Sequence, residues 1–196
     1  MSALRISDVR AAMPAAPGYA PVPRAGAVLG VAVHHSASAH PATGLTLETA
    51  QTVFEYHVRG HGWPHGGYHY VIRPTGLVEY ALDEAVPGLH AGFSDPDDAL
   101  GLEHGQYWNA HYLAVCVLGW FDSDRVLNGQ LIPNHFTRPP EPQWAALLAL
   151  TREVCARHGL PPASVQGHRE LRGCRTACPG AHLDLAALRS ALAAPA

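Results

Sequence analysis

Residues 26–36 read GAVLGVAVHHS, a short run of small and β-branched apolar residues that ends on two histidines. A run of this length without polar interruption is the pattern of a strand buried on both faces, as in sheets covered by helices. The two imidazoles at its end put reactive groups where such a strand leaves the sheet. Downstream, TLETAQTVFEYHVRG (46–60) spaces Leu47, Ala50, Val53, Phe54 and Val58 by three or four residues, predicting an amphipathic helix capped by Thr46 and stopped by Gly60. YHYVIRP (68–74) and LVEYAL (77–82), joined by Thr75–Gly76, predict a hairpin, and YLAVCVLG (112–119) predicts another central strand. QWAALLALTREVCARHG (143–159) has helical periodicity and a glycine stop, SVQGH (164–168) reads as a short strand, and HLDLAALRSALA (182–193) reads as a closing helix.

The resulting order, β, α, β, β, β, α, β, α, points to an α/β protein with a mixed central β-sheet flanked by helices. Upstream, Pro14, Pro17, Pro21 and Pro23 among small residues suit an extended N-terminal arm over 1–26, leaving 27–196 as a single domain. Segments 83–110 and 120–140, rich in Gly, Pro, Asp, Asn and His, are expected as loops that build a cleft.

Composition narrows the function. The chain has 196 residues, 47% of them apolar and 15% charged, enough for one substantial core. No apolar run approaches the ~18 residues that a membrane span needs, and a net charge of −3 lacks the basic excess of a nucleic-acid binder. Neither a membrane nor a nucleic acid is an expected partner. The 4 cysteines do not form a disulfide framework and are compatible with a reducing compartment. Arg5, Asp8 and Arg10 interrupt any export signal at the N-terminus. All 13 basic residues are arginine, so no lysine amine is available for catalysis, whereas 14 histidines offer the commonest neutral metal ligand.

Metal-capable side chains follow three segments: His34–His35 after VAV, His168 after SVQG, and Cys178 in RTACPG. A catalytic zinc takes three N, S or O ligands and keeps one position for water, which two imidazoles and a thiolate satisfy. Taken singly, a histidine is more often a satisfied polar group than a ligand. Spacing also leaves Cys174 in competition with Cys178 as the thiolate.

The ordered strings VAVHHSAS, GWPHGGYHYVIRPTGLVEY, GLHAG, WNAHYLAVCVLGWFD and VQGHRELRGCRTACPG resemble the type 2 N-acetylmuramoyl-L-alanine amidases, a family that includes phage endolysins and peptidoglycan recognition proteins. The resemblance runs from about residue 27 to 188. It implies a mixed sheet with flanking helices and one zinc ion per chain at the floor of a peptidoglycan-binding groove. The implied ligands are His34, His168 and Cys178, and the implied catalytic residues are Tyr68 and Thr176. His90 and Asn109 fall where the family lines its substrate groove, and Trp63 and Trp108 are candidates to stack on sugar or peptide. His35 and His69 neighbour the first ligand and the tyrosine: His35 is counted with the substrate-binding residues, while strand alternation sends His69 to the face opposite Tyr68.

The implied activity is hydrolysis of the amide between the lactyl group of MurNAc and L-alanine, a cell-wall-degrading, bacteriolytic activity of the antimicrobial endolysin kind. Such a protein is a monomer held in the host cytoplasm until release to the wall. The proton acceptor is left between the water on the metal and Tyr68 with a lowered pKa. Two other readings are a recognition module that binds muropeptide without cutting it, and a cytosolic recycling amidase. Cys178 speaks against the first. Cys116, standing where recycling members carry a glutamate, speaks against the second and is expected to be a core residue. At position 176 the lysozyme-like members carry lysine and the amidase-active recognition proteins carry threonine, as here; a departure is the His168-to-Cys178 interval, two residues longer than the family's usual eight, which brings in Cys174 and Arg175.

Overall fold

The computed structural model describes residues 4–38, 48–92, 96–97, 102–127, 130–132 and 138–194. In chain order the elements are β1 (Arg5–Asp8), β2 (Gly30–His35), α1 (Ala50–Glu55), β3 (Tyr70–Ile72), β4 (Leu77–Tyr80), β5 (Pro96–Asp97), β6 (Leu102–Glu103), α2 (His104–His111), β7 (Tyr112–Val117), β8 (Arg125–Leu127), β9 (Gln130–Ile132), α3 (Glu141–His158), β10 (Val165–Gly167) and α4 (Leu185–Ala193). Six strands form one mixed sheet in the order β1-β4-β3-β7-β2-β10. Only β3 and β4 pair antiparallel in it; the other neighbours are parallel.

The sheet separates two faces because side chains alternate along each strand. Val31, Val33, Leu113, Val115 and Val117 enter the main core with Leu147, Leu150 and Val154 of α3 and Leu188 of α4. Cys116 and Val71 face the other way, packed with Ala50, Val53 and Phe54 of α1. His34 is paired in register with Cys116 and shares that second face. The α/β architecture with a mixed, helix-flanked sheet is therefore the one expected.

Local chemistry accounts for most boundaries. The β3–β4 hairpin closes through Gly76 at φ 80°, a left-handed conformation that glycine adopts without strain. Glycine does the same at the end of α3, where Gly159 sits at φ 65° and its N–H reaches the Cys155 carbonyl. Thr46 lies outside the described residues; the cap of α1 is Thr49, whose hydroxyl accepts from the Thr52 N–H in a capping box. The α1 hydrogen-bond pattern also widens into a π turn over Tyr56–Gly60, so the helix begins later than its periodicity suggests and reaches the expected stop, Gly60, only as a π turn.

The N-terminal segment does more than wrap the surface. β1 adds a parallel strand to the edge of β4, and the half-buried Arg24 guanidinium donates to the carbonyls of Glu84, Val86 and Ala110. The expected loops 83–110 and 120–140 contain α2 and the two-stranded ribbons β5–β6 and β8–β9. Among the described residues no helix is long and apolar enough to cross a membrane.

Candidate metal centre

β2 delivers the first ligand candidate. Since Val33 points into the core beneath α3, His34 must point to the opposite face, where it is 1% exposed. β10 runs parallel to β2 with Gly167 opposite Val33, so the next residue, His168, comes beside His34, their ring centroids 4.6 Å apart. Gly167 allows that approach: a Cβ there would lie 2.5 Å from Leu185 and 2.8 Å from Pro179. The loop after β10 returns Cys178 to the same point. Its carbonyl accepts from the Arg169 N–H at 2.8 Å, and its sulfur accepts from the His35 N–H at 3.4 Å.

One donor atom from each of His34, His168 and Cys178 lies within 4.8 Å of the other two, and they are the one group of three such side chains so arranged among the described residues. Cys178 Sγ is 3.6 Å from His34 Nδ1. Tetrahedral zinc, with bonds of ~2.1 Å to nitrogen and ~2.3 Å to sulfur, separates those two donors by ~3.6 Å. The donor set and this spacing fit zinc.

Cys174 is elsewhere: its sulfur faces the Ala91 carbonyl at 3.6 Å and packs beside Ala32, Ala91, Tyr112 and Leu171. The longer His168-to-Cys178 interval thus leaves Cys178 facing the histidines and turns Cys174 into packing.

Burial sets the protonation of the donors. It holds His168 down to about 4 and His34 well below its ordinary range, the neighbouring His168 adding to the effect. Both rings are neutral ligands at neutral pH. Burial pushes the Cys178 thiol up to about 12, outweighing the His35 N–H and the Arg169 charge, so without a cation it carries its proton.

The three donors lie on a groove of about 700 Å³ whose lining also includes Tyr68, Thr176, His90, Trp63, His57, His61 and Glu48. Of the two segments expected to build this cleft, 83–110 contributes His90 and Gly92, and no described residue of 120–140 lines it. Tyr68 stands partly exposed, 5.2 Å from the His34 ring. Burial of its hydroxyl, beside Cys116, Cys178 and Glu48, raises its pKa well above 10, making it a hydrogen-bond donor rather than a ready proton acceptor. Thr176 Oγ accepts the Cys178 N–H at 3.1 Å, which leaves its own hydrogen for an oxygen in the groove. Cys116 is fully buried under Tyr68.

The remaining expected residues divide. Trp63 borders the groove and stacks against both His57 and His61, with centroids at 4.7 and 5.2 Å, the two imidazoles lying 6.4 Å from each other. His35 reaches the groove edge, but its Nδ1 accepts the Phe121 N–H at 3.2 Å. Asn109 is not among the groove-lining residues; its Oδ1 accepts the N–H groups of His90 and Ala91 at 2.8 and 2.9 Å. Trp108 donates its indole N–H to the Arg172 carbonyl at 2.8 Å, tying α2 to the loop that carries Cys178. His69 is fully buried, pinned between the Ala114 N–H and the Val86 carbonyl.

Sequence reasoning missed Glu48, Tyr56 and His57, which it absorbed into one amphipathic helix, and His61, which follows that helix's glycine stop. Their signal is the polar side of that helix next to GWP, which a periodicity count discards.

A family model described as N-acetylmuramoyl-L-alanine amidase matches residues 24–181. No curated protein sequence matches the chain closely enough to count as a relative. Among solved structures, LysC, an N-acetylmuramoyl-L-alanine amidase from Clostridium intestinale URNW, is 20% identical, with 96% of this chain and 97% of that one covered at a TM-score of 0.67. The Ph2119 endolysin from Thermus scotoductus MAT2119 bacteriophage Ph2119 is 22% identical, covering 95% and 98% at 0.65. A mutant of Drosophila PGRP-LB in complex with tracheal cytotoxin is 21% identical, covering 95% and 94% at 0.63. At these identities the likeness is one of fold.

Proposed function

The chain belongs to the N-acetylmuramoyl-L-alanine amidase family, and from that premise we propose that it is a zinc-dependent amidase of the phage-endolysin kind. Its substrate is bacterial peptidoglycan, and the bond cut joins the lactyl group of MurNAc to L-alanine. The observation that carries this reading is the convergence of His34, His168 and Cys178 on one point at the floor of an open groove. A purely recognising module needs the groove but has no use for a nitrogen, nitrogen and sulfur donor set.

Zinc bound there supplies a Lewis acid for the scissile carbonyl and lowers the pKa of water towards ~7. The protein supplies the rest. Tyr68, kept protonated by burial, donates to the oxygen that gains charge as the carbonyl is attacked. Thr176, fixed by the Cys178 N–H, orients a second oxygen. The His35 N–H holds the Cys178 sulfur in place. Trp63, held at the groove border by His57 and His61, offers apolar ring surface to sugar or stem peptide. The catalytic unit spans 27–196, with 1–26 as an arm braced on the sheet edge, and acts as a monomer that stays in the host cytoplasm until it is released to the wall.

The test is digestion of purified sacculi with and without a zinc chelator. Release of free L-alanine amino groups without new reducing ends, abolished by chelator and by Cys178→Ser, is the expected result. Retention of the protein on sacculi without release assigns it to recognition, and turnover only of soluble anhydro-muropeptides assigns it to recycling.

A further inference from the structure

The groove-lining position of His90 suggests contact with substrate, yet its ring is occupied from behind. His90 Nδ1 lies 3.1 Å from His34 Nε2 in a buried contact, and His90 as a whole is 5% exposed. His34 presents its other nitrogen, Nδ1, to Cys178. One ring thus has a thiol at one end and an imidazole at the other.

A metal ion on the Cys178 side needs the lone pair of His34 Nδ1, which forces the His34 proton onto Nε2. A buried N–H without an acceptor costs roughly 1–3 kcal/mol, and among the described residues the acceptor facing it is His90 Nδ1. His90 fills that role only as the neutral ring protonated on Nε2, a buried atom that among the described residues has no close hydrogen-bond partner and interacts only with the Tyr112 main chain, so the contact fixes which nitrogen of each ring carries the proton rather than satisfying both. Its loop is held for the purpose: Asn109 on α2 accepts two successive N–H groups, those of His90 and Ala91, with one oxygen.

We propose that His90 is a positioning residue for the metal centre, fixing the tautomer and ring orientation of His34 through the Nε2–H to Nδ1 hydrogen bond, and that Asn109 acts one step further back by clamping the His90 loop to α2. This reassigns both residues from substrate contact to metal affinity. It rests on the zinc reading of the His34, His168 and Cys178 group.

The experiment measures zinc affinity of the full chain at neutral pH by competition with a chromophoric chelator, so the readout is independent of hydrolysis. His90→Leu is expected to weaken zinc binding by about 10–100-fold, the usual cost of losing the partner behind a ligating histidine. His90→Asn, whose amide oxygen takes nearly the place of Nδ1, recovers much of that loss. Asn109→Ala leaves the ring in place but frees its loop, and gives a smaller loss. The cobalt-substituted His90→Leu protein shows an altered thiolate-to-cobalt absorption band.

Thermal unfolding of the metal-free variants separates these effects from misfolding. A folded His90→Leu protein that binds zinc as tightly as the unsubstituted chain overturns the proposal. If His90→Leu does not fold, Asn109→Ala decides: unchanged zinc affinity overturns it. An unsubstituted chain that binds no zinc overturns the metal reading and this inference together, whereas tight zinc binding without hydrolysis overturns only the amidase reading.

Discussion

Zinc affinity should depend on pH through a single proton, and the structure says which one. The perturbation is pH itself, applied to the metal-free protein. Binding needs the Cys178 thiolate, but burial holds that thiol up to about 12, so the metal-free protein carries the proton throughout the neutral range and must release it. The imidazoles impose no such cost. His168 is held down to about 4 and His34 well below its ordinary range, both by burial, so both rings are already neutral. With one competing proton, affinity rises about tenfold, or ~1.4 kcal/mol, for each pH unit, from roughly pH 5 to roughly pH 9.

Below that window His168 begins to protonate and the dependence steepens. Chelator competition across the range gives the slope, and calorimetry in two buffers of different ionisation enthalpy counts the proton directly. Cys178→Asp, with a carboxylate already ionised near neutrality, should flatten the slope. A slope of two or three centred near 6.5, the ordinary histidine value, would refute the argument by showing rings that titrate as if exposed. A flat profile for the unsubstituted chain would remove Cys178 from the ligand set.

Other consequences are open to direct measurement. Tyr68→Phe should lower kcat on sacculi on the order of 100-fold while leaving zinc affinity unchanged, because the lost donor acts on the developing charge and not on the metal; equal activity would end its assignment. Glu84 accepts from Tyr70 at 2.6 Å, Arg157 at 2.8 Å and His158 at 2.8 Å, joining β3 to the end of α3. Burial pushes its pKa up, but those hydrogen bonds and the Arg157 charge bring it below the usual 4.5, so its contribution is present above that value and is lost as pH falls through the lower folded one. Glu84→Gln should cost about 2 kcal/mol in urea unfolding at neutral pH and progressively less in acid; a cost that grows in acid would contradict this. Gly66→Ala should destabilise by roughly 1–3 kcal/mol, because the new Cβ would fall 2.2 Å from the Phe54 ring; an unchanged melting temperature would show that Phe54 yields freely.

Much of the fold was legible because it rests on short-range rules. β2 and β7 follow from uninterrupted apolar runs, α3 from its 3.6 period, and the β3–β4 hairpin and the end of α3 from glycines such as Gly76 and Gly159, whose conformations depend only on their neighbours. The ordered motifs carried His34, His168 and Cys178 as a resemblance. What local rules could not carry was the start of α1 at Thr49, its π turn, and β1: an edge strand is made by pairing with β4, about seventy residues away, and not by its own pattern.

The same limit applied at the candidate metal centre. Both Cys174 and Cys178 lie in the loop that follows β10, and only the path of that loop against β2 turns one sulfur to His34 and the other to Ala91. His90 and Asn109 read as groove residues because loops carry contacts; that one ring lies against His34 and the other side chain grips two main-chain N–H groups is decided by how the loop at His90 and Ala91 packs on α2. A chain's periodicity states which side of an element is buried. It takes the packed elements, meeting from opposite ends of the sequence, to decide which buried nitrogen faces which sulfur.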